Sequence, residues 1–283
     1  MIVVTGANGT VGSALVEQLR VVGEKVRAVV RSAENGTAAE SLGAEIAVAD
    51  VQDRAAFGAA VEGADALFLN TASLPGFVDA RKAAIDIARA AGVARIVRLS
   101  ALGSSPDSTM SFGRGHAELD DYLQSSGADW TVLAANGFFS NFLGMADSIR
   151  QGGIYINAGD GKVSQIDPRD IAAVAAVTLT QPGHGQKSYA LTGPEAIGYA
   201  DVAATLTRLL GRQVNYVPVD DATAYSAMTG MGLPAAQADD IVALGKVYAA
   251  GYAAQVTDDV ERLTGNTARS FETFAADHLA AFE

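Results

Sequence analysis

The 283-residue sequence contains no cysteine and only 3 histidines. The first absence excludes disulfides, thiolate metal sites and a cysteine nucleophile. Positive charge is also scarce: 20 lysines and arginines stand against 32 acidic residues, a net charge of −12, and the acidic excess is shared between the two halves of the chain. No basic stretch remains to neutralise the phosphates of a nucleic acid, so no DNA or RNA partner is expected. Long apolar runs are missing too; none approaches the ~18 residues of a membrane span. The N-terminus enters a hydrophobic strand without the basic start and small-residue cleavage site of a secretory signal. A cytoplasmic protein with no membrane partner is therefore expected.

What is present is ample core-forming material, with 49% of residues hydrophobic, enough for one large domain or two unequal ones. Short β-branched runs at 2–5, 26–30, 45–49, 66–70, 95–100 and 130–133 alternate with Ala-rich helical stretches at 11–22, 54–61, 78–91 and 113–125. Strands that are apolar throughout have no solvent face to alternate with, which is the mark of a parallel sheet covered on both sides. The fold class expected is α/β, a doubly wound parallel sheet of Rossmann type over residues 1–150. Beyond 150 the rhythm loosens. Short strands are expected at 152–158 and 162–166, a helix at 170–180, and a strand at 188–192 that returns to the main sheet, so that 163–193 rejoins the first domain. A smaller, mainly helical C-terminal domain at 194–283 would form one wall of a cleft.

The first strand runs into Gly6-Ala7-Asn8-Gly9-Thr10-Val11-Gly12 and then a helix. In a GxxGxxG turn Gly6 permits the tight exit from the strand, Gly9 lets the backbone approach a pyrophosphate, and Gly12 lets helix and strand pack closely. The N–H groups and dipole at the helix start favour an anion. The motif lacks the Gly-Lys-Ser/Thr of a nucleotide-hydrolysing loop, which disfavours ATP or GTP hydrolysis. The second strand ends in Arg31-Ser32, where a site for NAD would carry an acid on the ribose hydroxyls. A guanidinium with an adjacent hydroxyl suits a 2′-phosphate, so NADP(H) is expected over NAD(H). Asp50 and Val51 would border the adenine, and Asn70, Thr71, Ala72 and Ser73 the ribose and pyrophosphate. Ser100 ends the fifth strand near the nicotinamide. Each of these last residues has the competing reading of a turn residue that satisfies its own backbone.

Together with TGANGTVG and VRAVVR, the stretches RIVRLSALG (95–103), QIDPRDIA (165–172), LTGPE (191–195) and TDDVERLTG (257–265) resemble the NmrA-like branch of the atypical short-chain dehydrogenase/reductases. Within it the chain is most similar to bacterial NADPH-dependent reductases of azo dyes, quinones and triphenylmethane dyes. The resemblance spans essentially the whole chain. It implies NADPH lying across the C-terminal ends of the strands and a small domain closing an aromatic substrate's cleft. The family also contains regulators that bind NADP without turning it over, so a non-catalytic NADP(H) sensor is the alternative to an enzyme.

Most short-chain dehydrogenases use Tyr-x-x-x-Lys to protonate a carbonyl oxygen. None of the 8 tyrosines here is followed four residues later by lysine, which argues against ordinary alcohol–ketone chemistry. In the corresponding helix His116 and Asp120 share a face at i,i+4. His116 resembles a histidine of the dye and quinone reductases and would orient substrate or deliver a proton, with Asp120 as its orienter; the competing reading is a helix histidine capped by a carboxylate. An acceptor that tolerates a weak acid is then expected: a quinone, an azo bond or a triarylmethane, held flat against the nicotinamide. Asn136, Gly137, Phe138, Phe139, Asn141, Phe142 and Met145, with Ile166 beside Gln165, are the expected lining, Gly137 letting the backbone pass the cofactor. Packing considerations favour two of the three phenylalanines facing the core and one the cleft.

Overall fold

The computed structural model describes residues 1–72 and 76–283; Ser73, expected beside the ribose, lies outside the described residues. In chain order the elements are β1 (Ile2–Thr5), α1 (Thr10–Val21), β2 (Val26–Val30), α2 (Thr37–Ser41), β3 (Glu45–Val48), α3 (Arg54–Val61), β4 (Ala66–Leu69), α4 (Phe77–Ala90), β5 (Arg95–Ala101), α5 (Ser111–Ser125) and β6 (Asp129–Ala135). There follow α6 (Ala146–Arg150), β7 (Gly153–Ile156), β8 (Lys162–Val163), α7 (Pro168–Thr180), β9 (Lys187–Leu191), β10 (Ile197–Gly198), α8 (Tyr199–Leu210), β11 (Asn215–Pro218), α9 (Asp221–Gly230), α10 (Ala235–Ala249), α11 (Asp259–Thr264) and α12 (Phe271–Asp277).

Seven strands form one parallel sheet in the order β3-β2-β1-β4-β5-β6-β9. Along the central strands β1 and β4 successive residues are buried on alternate faces. Ile2 and Val4 of β1 and Phe68 of β4 enter the core under α1 and α7. Val3, Leu67 and Leu69 enter the opposite core with Phe57 of α3 and Ile85 of α4. Both faces being covered, period-two alternation brings no polar residue outward, which is why these strands read as unbroken apolar runs. The sheet reverses its winding between β1 and β4, and the crevice opened there at the strand C-termini is where a doubly wound sheet takes a ligand.

A third core ties the rest of the chain together. Phe139 and Phe142, just beyond β6, pack against Phe271 and Phe274 of α12, with ring centroids 5.1–5.7 Å apart for Phe139–Phe271, Phe139–Phe274 and Phe142–Phe271. Phe139, Phe142 and Ile149 belong to this third core, and Val260 of α11 belongs to the core beneath the large sheet. Aromatic partners so distant in sequence leave no local periodicity to read. No described helix is long and apolar enough to cross a membrane.

Candidate dinucleotide site and substrate cleft

At the C-terminal end of β1 the chain turns through Gly6 at φ +61°, a left-handed conformation that L side chains rarely adopt. A Cβ at Gly12 would lie 2.1 Å from the Gly6 carbonyl oxygen, so the start of α1 seats directly on the turn only because Gly12 has no side chain. No side chain caps α1, and its first turn carries no acid. Its leading N–H groups thus have no capping partner among the described residues and form the cradle an anion needs. The Thr5 hydroxyl accepts from the Asn70 N–H at 2.8 Å and donates to the Asn70 carbonyl at 2.9 Å, pinning the ends of β1 and β4 on either side of the crevice.

A cavity of ≈ 420 Å³ opens over this turn. Gly6, Asn8, Gly9, Thr10, Val11, Arg31, Asp50, Val51, Asn70, Thr71 and Ala72 all line it. Gln52 and Phe77, which no sequence motif marks, line it as well. Five expected residues do not: Ala7 is buried beneath the turn, Gly12 is packed against it, Ser32 lies outside the lining, and Ser100 and Gly137 line the adjoining cavity instead. Arg31 is exposed at the end of β2 and makes no ion pair among the described residues. The residues present fit a dinucleotide, with an uncapped helix start for the pyrophosphate and a free-standing guanidinium at the ribose end.

A second cavity of ≈ 720 Å³ abuts the first and shares Asn70, Thr71 and Phe138 with it. One wall is the C-terminal ends of β5 and β6, with Leu99, Ser100, Gly137 and Phe138; the other is the C-terminal stretch of α10 with Leu244, Val247 and Tyr248. Asn136 and Asn141 also reach it, but the Asn136 amide is committed, donating to Ser164 Oγ and to the Ala253 carbonyl, each at 2.9 Å. Four expected lining residues are elsewhere. Phe139 and Phe142 are fully buried in the small core, Met145 packs against that core, and Ile166 is buried beneath the large sheet. The aromatic run after β6 serves chiefly to dock α12, and of its three phenylalanines Phe138 alone faces the cleft.

Beneath the cleft lies a charged network that helical spacing alone misassigns. Asp120 does not pair with His116. Its carboxylate forms an ion pair with Arg98, whose side chain is wholly buried, and accepts from Ser100 Oγ at 2.6 Å. Arg98 in turn donates from Nη2 to His116 Nδ1 at 2.9 Å. Because a guanidinium only donates, Nδ1 is an acceptor and the neutral ring carries its proton on Nε2. Burial, reinforced by the Arg98 and Arg81 charges, pushes the His116 imidazolium pKa down to about 3. Near neutrality it is therefore an uncharged imidazole. Arg81 of α4 donates from Nε to Thr71 Oγ1 at 2.8 Å and lies over the Phe77 ring. Arg81 belongs to no motif, and Arg98, although it lies within RIVRLSALG, is marked there only as a charge in the middle of an apolar strand. Lys82, by contrast, forms an exposed ion pair with Glu118 at 2.5 Å.

The buried histidine has a consequence for stability. The unfolded chain takes up the proton near 6.5 and the folded chain only near 3. Its contribution is therefore complete above about 6.5 and falls as pH drops through that window, by at most about 1.4 kcal/mol per pH unit. In denaturant titrations at stepped pH, His116→Gln should show a shallower acid limb than wild type; superimposable limbs would remove His116 from the acid response.

Fold and site together define a Rossmann-type dinucleotide-binding protein with an adjoining ligand chamber. A family model described as NAD(P)H-binding matches residues 6–182, and the chain belongs to that family. It is 40% identical to the NAD(P)H azoreductase of Xenophilus azovorans over 283 residues, covering 100% of this chain and 99% of that protein. It is 32% identical to quinone oxidoreductase 2 of Escherichia coli (strain K12) over 243 residues, 84% of this chain and 85% of that one. The crystal structure of the Escherichia coli NADPH-dependent quinone oxidoreductase complexed with NADPH superposes with a TM-score of 0.89 at 29% identity, covering 99% of this chain and 100% of that chain. The resemblance read from the glycine turn and its companion motifs is borne out.

Proposed function

We propose that this chain is an NADPH-dependent reductase that passes hydride to conjugated, electron-poor aromatic acceptors of the azo, quinone and triarylmethane kinds. The observation that carries the reading is the meeting of the two cavities at Asn70, Thr71 and Phe138, which sets an acceptor chamber against one end of the nucleotide cradle. The names of the azoreductase and quinone oxidoreductase relatives support it. When bound, the reduced nicotinamide supplies the hydride. The chain's own part is to bind and orient. The turn and the start of α1 hold the pyrophosphate, Arg31 selects the 2′-phosphate, and Gly137 keeps the β6 end thin beside the nicotinamide. Phe138, Leu99, Leu102, Met110 and Phe112 offer apolar surface to a flat ring. His116, held neutral with its proton on Nε2, orients the acceptor without titrating between about pH 5 and 8.

A sensor that binds NADP(H) without turnover is the competing reading, and a chamber of this size with an apolar lining speaks for the enzyme. Anaerobic mixing of protein, NADPH and a panel of azo dyes, quinones and triarylmethanes tests it through loss of the reduced-nicotinamide absorbance. Oxidation with at least one class is expected; tight NADPH binding with no oxidation by any acceptor favours the sensor. His116→Ala should lower kcat while leaving the dissociation constant of NADPH unchanged.

A further inference from the structure

Tyr248 is a residue of the cleft that the C-terminal part of the chain supplies, from the α10 wall. It sits on the last turn of α10, only 6% exposed, yet it lines the chamber. Its hydroxyl makes no hydrogen bond among the described residues, and the residue lines the chamber beside Gly137. A Cβ on Gly137 would stand 2.8 Å from that hydroxyl, so the glycine at the end of β6 also makes room for the phenol.

The placement is built in from several directions. The Asn157 amide donates to the Val242 carbonyl at 2.9 Å, and Gly245 packs so closely on Asn157 that a Cβ there would lie 2.1 Å from its Oδ1. A Cβ on Gly161 would lie 2.0 Å from the Tyr248 carbonyl oxygen. Beyond the helix, Asn136 holds the Ala253 carbonyl at 2.9 Å. These contacts fix the rotation and register of α10 and so aim one side chain across the cleft.

We propose that Tyr248 is the hydrogen-bond donor that grips the oxygen or nitrogen on which negative charge develops when a quinone or azo acceptor takes up hydride. The proposal rests on the reductase reading above and deepens it by giving the acceptor site its polar anchor. Hydride from the reduced nicotinamide brings two electrons. A quinone becomes the hydroquinone monoanion, which takes its one proton from water, while the phenol keeps its own proton and only donates a hydrogen bond. Burial raises the Tyr248 phenol to about 12, so it remains a donor throughout the neutral range and is not consumed as an acid. A cationic triarylmethane behaves differently, since hydride cancels its charge and creates no anion to be gripped. Tyr248 thus discriminates between acceptor classes.

The test compares wild type with Tyr248→Phe, each saturated with NADP+, by calorimetric titration with menadione and, separately, with malachite green. Loss of one donor should raise the dissociation constant of menadione about 10-fold and leave that of malachite green unchanged, and the ratio of kcat/KM for menadione to that for malachite green should fall in parallel. Equal constants in both proteins, or an equal loss for both ligands, would overturn the role of Tyr248. A wild type that binds neither ligand and oxidises NADPH with neither would overturn the reductase reading, and this inference with it.

Discussion

Arg31→Ala is expected to raise the KM for NADPH about 10- to 100-fold and to leave the KM for NADH essentially unchanged. The two cofactors differ only in the 2′-phosphate, so the comparison isolates whatever recognises that group. Arg31 stands at the C-terminal end of β2, lines the nucleotide cavity and makes no ion pair among the described residues. Its charge is not already engaged, so a phosphate gains the whole of a charge-assisted contact. Asp50 shares the cavity but is turned to its own loop, where Oδ1 accepts from the Gln52 N–H at 2.9 Å. Arg31→Lys should recover part of the effect, because an ammonium supplies the charge without the planar fork. Steady-state kinetics with both cofactors and a saturating acceptor measures this. An equal rise for NADPH and NADH would assign Arg31 to the shape of the cavity rather than to the phosphate.

Whether a feature of this protein is legible in its sequence depends on whether the constraint behind it is local. The glycine turn is legible because its requirements act within a few residues: Gly6 adopts φ +61° and Gly12 has no room for a Cβ. The sheet is legible because strands buried on both faces are written as apolar runs, and β9 rejoins the sheet at 187–191, close to the expected 188–192. The helical turns at 34–41 leave no signal, since that crossover is too short to carry a period. Phe139 and Phe142 cannot be sorted from Phe138 by spacing because their partners, Phe271 and Phe274, lie at the far end of the chain. The same holds for Asp120. Spacing puts it on one face with His116, but β5 brings Arg98 between them, and a strand's contribution to a helix face is invisible to helical spacing.

That intervening arginine carries the largest expected effect on stability. Arg98→Met should destabilise the fold by about 3–5 kcal/mol, the cost of removing one partner from a buried ion pair and leaving the other uncompensated. The loss is expected to be concentrated in Asp120, which would keep only the Ser100 hydroxyl, and in His116, whose Nδ1 would lose its donor. Adding Asp120→Leu removes the orphaned carboxylate, and the double variant should recover much of the lost stability, because an apolar replacement of a whole buried pair is often neutral or better. The network is not an economical way to fill this space even in the native protein, since Arg98 Nε has no hydrogen-bond partner among the described residues. Its value lies at the cleft, where it fixes the His116 tautomer. The double variant should therefore be stable but impaired: NADPH binding near normal, because Arg98 and Asp120 lie outside the nucleotide cavity lining, and kcat lowered with the His116 pKa moved up toward its ordinary value as the Arg98 charge is removed. Denaturant titration, NADPH binding and the pH profile of kcat together measure all three. A stable double variant with wild-type kcat would reduce the network to packing.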